Sequence, residues 1–248
     1  MGLHKILVGI RALIGIPFSI FILACAATLV VFLRGDERFI NGPLAKKWAR
    51  IVIWLANARV TVQGISNIPD TGESYLVVMN HQSNMDIPVL VHSLPLQLRF
   101  IGKIELKKVP VFGSALLKAG HFLIDRSDFS KARESLRAAG EVLKQRGVSI
   151  VFAPEGTRSS SGKLLPFKKG AFVMAIETGI PILPITIDGT RLSLPKGSMW
   201  ARKANVKVTI HEPVQTEDLT YDDRNELLEK VREVIEKTLV SPPVNGNQ

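Results

Sequence analysis

Residues 75–88 read YLVVMNHQSNMDIP. Tyr75–Met79 is an apolar run that stops abruptly at the polar stretch Asn80-His-Gln-Ser-Asn-Met-Asp86, where Ser83, Asn84 and Pro88 are turn and helix-start residues. The segment therefore reads as a buried strand ending in a loop that opens a helix. Working outward, the same pattern recurs at 60–64 (VTVQG), 99–102 (RFIG), 121–124 (HFLI), 148–153 (VSIVFA), 182–187 (ILPITI) and 206–210 (VKVTI). Helical stretches lie between these runs. Ala132, Leu136, Ala139 and Leu143 recur at helical spacing within 128–146, as do Leu227, Val231, Val234, Ile235 and Leu239 in a last helix opened by a Thr220/Asp223 capping box. Strands alternating with helices predict an α/β fold with a mixed, largely parallel sheet flanked by helices. No linker divides 59–240, which reads as one catalytic-sized domain, and 241–248 reads as a frayed tail.

The N-terminal quarter is different. Ala12–Leu33 holds 22 consecutive residues without a charge, long enough to cross a bilayer core and longer than the usual apolar segment of a secretory signal. Gly15 and Pro17 would kink a helix there. In the next segment Leu44, Trp48, Ile51, Leu55 and Ala58 share a helical face with Lys46, Lys47, Arg50 and Arg59 around it, a basic amphipathic helix carrying Trp48 and Trp54 at interface depth. Residues 1–58 thus read as a two-helix membrane module, either one span or a hairpin dipping into one leaflet.

Composition narrows the chemistry. The chain has 248 residues, 32 Lys+Arg against 22 Asp+Glu, a formal charge of +10 and 46% hydrophobic residues. Its mean hydropathy is +0.19 and its pI about 9.9. Intrinsic disorder is excluded. Cys25 is the single cysteine, so no internal disulfide, paired-cysteine metal knuckle or dithiol redox couple can form. The sequence lacks G-x-S-x-G, H-E-x-x-H and G-x-G-x-x-G, and Gly156–Lys163 has five residues between its glycines where a Walker loop needs four. A basic chain of this kind could bind nucleic acid, but no helix-turn-helix or aromatic-interleaved basic ribbon is present.

What remains is a set of polar turns at strand ends. His81 and Asp86 are five residues apart, about 140° on a regular helix, so they can meet only across a turn. There the carboxylate would orient the imidazole and leave its other nitrogen as a general base. Ser83-x-x-Asp86 is equally a plain helix capping box. Phe152-Ala-Pro-Glu155-Gly156-Thr157-Arg158-Ser159 likewise follows an apolar strand, at the sheet end where open α/β folds bind ligands. Arg158 offers a fork for phosphate, and Glu155 could orient it or hold a substrate hydroxyl. Gly102, Lys103 and Arg126 border two further strands, and the lysine and arginine are candidate anion ligands. His121 reads as structural, and His4, His92 and His211 have no polar constellation around them.

Together, Asn80-His81-Gln-Ser-x-x-Asp86, Gly120-x5-Arg126, Phe152-x-Pro-Glu155-Gly156-Thr157-Arg158 and Ile180-Pro-Ile-Leu-Pro-Ile185 resemble the four ordered blocks of the glycerolipid acyltransferases, nearest to their 1-acylglycerol-3-phosphate branch. The resemblance implies transfer of a fatty acyl group from acyl carrier protein or acyl-coenzyme A to the sn-2 hydroxyl of lysophosphatidic acid. It implies His81 as general base supported by Asp86, without an acyl-enzyme. Arg158, Lys103 and Arg126 would hold the phosphate, with Glu155, Gly156 and Thr157 shaping the pocket. The oxyanion donors expected are backbone N–H groups near Gly102 and Lys103 or at the helix start after His81. Neither metal nor bound cofactor is expected. The expected partners are the lysolipid, an anionic bilayer surface and the thioester donor, with no nucleic acid. A bacterial inner membrane is expected, with the catalytic domain on its cytoplasmic side. A sister enzyme acting on glycerol-3-phosphate or another lysophospholipid is the alternative, and a non-catalytic basic membrane or nucleic-acid-binding protein a remoter one.

Overall fold

The structure, a computed structural model, describes residues 3–34, 37–69, 72–124 and 147–239. The expected helix over 128–146 and Arg126 lie outside the described residues. Among those described, seven strands form one sheet in the order β1-β7-β6-β2-β5-β3-β4. They are β1 (Ala58–Gln63), β2 (Leu76–Met79), β3 (Leu98–Lys103), β4 (Phe122–Ile124), β5 (Ser149–Phe152), β6 (Ile182–Asp188) and β7 (Ala204–Ile210). Every pairing is parallel except β6 with β7. All seven apolar runs read from the sequence are strands, shifted by at most two residues at either end.

The helices that accompany the sheet include α1 (Leu3–Arg34), α2 (Ala45–Leu55), α3 (Asp86–Ser93), α4 (Phe112–Lys118), α5 (Gly170–Thr178), the single turn α6 (Thr190–Ser193) and α7 (Arg224–Thr238). Both faces of the sheet are covered, which is why β2 is apolar at every position rather than alternating. Tyr75, Val77 and Met79 face α2 and α3 through Ala49, Val89 and Leu90. Leu76 and Val78 face α5 and α7 through Phe172, Ala175, Val231 and Ile235. The Thr220/Asp223 capping box is present and opens a 3₁₀ turn, Tyr221–Asp223, that leads into α7.

Both helices expected in the N-terminal quarter are present, as α1 and α2. The helix α1 continues through Gly15 and Pro17. Its segment Ile6–Val30 is long and apolar enough to cross a membrane. Its small residues Ala12, Ala24 and Ala27 face the protein while Leu7, Ile14, Phe18, Phe21 and Ile22 are exposed. Gly15 lets α1 press against α2: a Cβ there would meet Leu55 Cδ2 at 2.7 Å. The helix α2 packs one face on the domain. Ala49 and Val52 are buried, and Trp48 packs against the cores of the sheet and of the α1 contact. Only an edge with Ile51 and Trp54 is exposed. An amphipathic stripe carries the same pattern whether it meets a bilayer or a sheet, so sequence alone could not choose. Arg11 joins the two helices, donating from Nε to Leu55 O at 3.1 Å and from a guanidinium NH₂ nitrogen to Trp54 O at 2.6 Å, and lying 4.3 Å above the Trp54 ring. These bonds satisfy carbonyls that the end of α2 would leave open.

Candidate active site

The strand register builds the site. β2 and β5 are central neighbours running in parallel, with Val78 opposite Phe152. Three residues further along each strand stand His81 and Glu155, so the two polar loops emerge side by side at one sheet edge.

The loop after β2 brings His81 Nδ1 to 2.7 Å from Asp86 Oδ2. The same carboxylate oxygen accepts the backbone N–H of Gln82 at 2.8 Å and of Ser83 at 3.0 Å, while Oδ1 accepts the hydroxyl of Thr190 at 2.5 Å. Asp86 is completely buried, begins α3 and is thus a carboxylate at a helix N-terminus with four donors around it. An acceptor at Nδ1 requires the proton to sit there in the neutral imidazole, which leaves Nε2 as the basic nitrogen. The His81 side chain is 22% exposed, so Nε2 is reachable. The plain capping box is not formed: the carboxylate accepts the Ser83 N–H as such a box requires, but no side chain caps the start of α3. The hydroxyl of Ser83 goes elsewhere, to Leu194 O at 2.6 Å.

The Glu155 expectation is corrected. Its carboxylate neither orients Arg158 nor faces a ligand space. Oε1 accepts the backbone N–H of His81 at 2.6 Å and Oε2 that of Leu165 at 2.9 Å, and the residue is 5% exposed. Ser159 N–H returns a bond to His81 O at 2.8 Å, so the backbone of His81 is gripped from both sides by the loop after β5. Burial pushes the Glu155 carboxyl above the ordinary carboxylate range, against the pull of its two N–H donors. Gly156 has φ of 70°, a left-handed conformation that side chains disfavour, and the Lys168 ammonium lies above it, 3.0 Å from where a Cβ would stand.

Positive charge gathers around this loop. Arg158 is half-buried, without a salt-bridge partner among the described residues, whereas Lys103, exposed at the end of β3, is in register with Ile124 of β4. Lys196 donates to Arg158 O at 2.9 Å and to Thr157 Oγ1 at 3.3 Å. Thr157 is exposed and its hydroxyl is engaged in that contact. Sequence reasoning missed Lys168, Lys196 and Thr190. Of the three, Thr190 alone had a signal: it follows the end of β6, the other neighbour of β2. The backbone N–H groups of Gln82 and Ser83 are spent on Asp86, and that of Met85 on Ser83 Oγ, which removes them from the expected oxyanion donors. Gly102 has a packing role, since a Cβ there would meet Leu123 Cδ2 at 2.8 Å.

An apolar cavity of about 420 Å³ lies beside the loop after β2, although neither His81 nor Asp86 lines it. Asn84 and Met85 form part of its wall, with Ala12 and Pro17 from α1 and Trp48 and Val52 from α2. His121 reaches its wall too, and its Nδ1 accepts the Phe100 N–H at 3.2 Å. Burial, and then the Arg99 guanidinium, push this imidazole down to about 3, a neutral structural histidine as the sequence suggested.

Comparison with known proteins follows the same outline. A family model described as Acyltransferase matches residues 59–188. The chloroplastic 1-acyl-sn-glycerol-3-phosphate acyltransferase BAT2 of Brassica napus is 38% identical over 192 residues, 76% of this chain and 55% of its own length. The 1-acyl-sn-glycerol-3-phosphate acyltransferase of Saccharomyces cerevisiae is 33% identical over 250 residues, 98% of this chain and 80% of that protein. The chain thus spans little more than half of the plant relative and most of the yeast one. The crystal structure of the 1-acyl-sn-glycerophosphate (LPA) acyltransferase PlsC from Thermotoga maritima matches with a TM-score of 0.81 at 29% identity, covering 99% of this chain and 98% of the other.

Proposed function

The chain belongs to the acyltransferase family, and from that premise we propose that it acylates the sn-2 hydroxyl of lysophosphatidic acid to give phosphatidic acid. The observation that carries the reading is the His81–Asp86 pair, a buried carboxylate bonded to a partly exposed imidazole, on a loop whose Asn84 and Met85 line an apolar cavity. The names of the relatives support the same acceptor.

In this account Nε2 of His81 takes the proton of the acceptor hydroxyl as the oxygen attacks the thioester carbonyl. Asp86 supports the imidazolium that forms. The tetrahedral intermediate collapses with cleavage of the C–S bond, and the imidazolium returns its proton to the leaving thiolate. General-base assistance of this kind contributes roughly 10²–10⁴ in rate. No enzyme nucleophile enters the scheme. Arg158 and Lys103 bind the phosphate, with Arg126 as the third cation read from the sequence, and Gly156 and Thr157 shape the loop beneath it. With the Gln82 and Ser83 N–H groups spent on Asp86 and that of Met85 on Ser83 Oγ, the proposed oxyanion donors are Gly102 and Lys103. The apolar cavity takes a fatty acyl chain. The donor is acyl carrier protein or acyl-coenzyme A, drawn by the +10 charge.

Residues 1–58 form the membrane-attaching part in this reading, with α1 inserted, and residues 59–240 the catalytic part. The catalytic domain lies against the cytoplasmic, anionic leaflet, consistent with its basic character. A bacterial inner membrane rests on the sequence resemblance alone, because the relatives include chloroplastic and yeast proteins.

The test is an acceptor panel in vesicles, with acyl-coenzyme A and acyl carrier protein as donors, offering lysophosphatidic acid, glycerol-3-phosphate and a lysophospholipid with a larger headgroup. Lysophosphatidic acid is expected to give the highest kcat/KM. Preference for glycerol-3-phosphate would replace this acceptor with that of the sister enzymes. Intact mass measured after incubation with donor alone is expected to be unchanged, and a stable acyl adduct would contradict direct transfer.

A further inference from the structure

The loop after β6 is absent from the expected site residues, yet it meets the catalytic loop at two buried points. Thr190 Oγ1 donates to Asp86 Oδ1 at 2.5 Å, and Leu194 O accepts the Ser83 hydroxyl at 2.6 Å. Thr190, Asp86 and Ser83 are each fully buried. Thr190 is itself held from both sides. Gly189 before it has φ of 92°, and a Cβ there would strike Asn205 O at 2.2 Å, so the chain turns tightly against β7. After it, Leu194 N–H closes the turn on Thr190 O at 2.9 Å. The hydroxyl is thus delivered to one carboxylate oxygen by backbone that cannot easily shift.

Resting on the proposed reaction, we propose that Thr190 is a positioning residue for acyl transfer. Its hydroxyl holds Asp86 Oδ1 so that Oδ2 stays aimed at His81 Nδ1. A carboxylate can rotate about its last bond with little resistance, and the two backbone donors on Oδ2 pull on the same oxygen that His81 needs. The bond to Oδ1 restrains that rotation from the opposite side. It also gives the second buried oxygen the hydrogen bond that no other described residue supplies. Hydrogen bonds to a charged group are worth enough to change the rate about 10- to 100-fold when lost.

The test compares Thr190→Val, Thr190→Ala and Thr190→Ser in the full-length membrane-bound protein. Thr190→Val and Thr190→Ala are expected to lower kcat about 10- to 100-fold with KM for the acceptor little changed, and Thr190→Ser to stay within about threefold of the parent. Thermal denaturation identifies any variant that fails to fold, and the alanine variant serves if the valine does not. In an Asp86→Asn background, adding Thr190→Val is expected to cost nothing further, because its effect runs through that carboxylate. ¹⁵N NMR of the histidine rings reads the same bond without turnover: Thr190→Val is expected to shift the His81 ring nitrogens and leave those of His211 unchanged. A loss that adds fully to that of Asp86→Asn, or unchanged His81 resonances in a folded valine variant, would overturn the positioning role. An inactive parent with intact Thr190-dependent His81 shifts would refute the acceptor assignment instead.

Discussion

Asp86 does three things with two oxygens: it accepts His81 Nδ1, accepts the Gln82 and Ser83 N–H groups ahead of α3, and takes the Thr190 hydroxyl. Replacing it by Asn keeps the size but offers an amide where an acceptor is needed, so the imidazole turns to the wrong tautomer; kcat is expected to fall about 10²- to 10⁴-fold in a folded protein. Glu155 acts one step further back, on the backbone of His81. Glu155→Ala strips two N–H groups of their partners, and a thermal melt should show a loss of about 1–3 kcal/mol for each bond, together with lower kcat. Unchanged stability would contradict the assigned bonds. His121 sets part of the acid sensitivity. Its imidazole is held at about 3 by burial and Arg99, against an ordinary value of 6.5, so between those values the unfolded chain binds a proton that the folded one refuses. Its contribution is therefore full above 6.5 and lost as pH falls through that window, and His121→Gln should flatten the decline of the melting temperature from pH 7 to 5. At this scale His81 and Asp86 were legible because five residues spanning turn-forming chemistry can meet locally. Glu155 was found but given the wrong neighbour, and Thr190, Lys168 and Lys196 arrive through long-range chain crossings that no spacing records.

The seven strands were legible because each is a short apolar run bounded by Gly, Pro or polar turns; β2 and β6 are buried on both faces, whereas β7 alternates. The parallel register of β2 and β5 then converts two separated motifs into one site. The helix α2 was legible as a helix but not in its environment. Its two tryptophans now differ: Trp48 lies against the cores and lines the cavity, whereas Trp54 is 63% exposed beneath Arg11. Trp48→Ala is expected to destabilise the protein by an amount of order 3 kcal/mol, measured by denaturant titration. Trp54→Ala should leave stability within about 0.5 kcal/mol while weakening vesicle association. Ala45, on the cavity wall, tests the element's other role. Ala45→Phe shrinks the apolar space, and acyl-donor competition should show rates with long chains falling more than rates with short ones. Equal losses across chain lengths would argue that the chain binds elsewhere.

For the molecule as a whole, a seven-stranded sheet is joined to an exposed apolar helix in a chain with a surplus of ten positive charges. An apolar span and a basic surface respond differently to salt: attraction to anionic lipid fades as the Debye length shortens, whereas burial of Ile6–Val30 in hydrocarbon does not. Flotation with anionic and zwitterionic vesicles should thus show association that persists at high salt, and complete release would contradict insertion of α1. The overall architecture was legible from composition and pattern, while the packing of the N-terminal helices onto the domain was not, because that contact joins segments far apart in sequence. The account stands most directly on His81. The decisive measurement is phosphatidic acid formed from lysophosphatidic acid in vesicles by the parent and by a folded, membrane-bound His81→Ala variant. The account expects product from the parent and at least about 10²-fold less from the variant; equal product from both would contradict it.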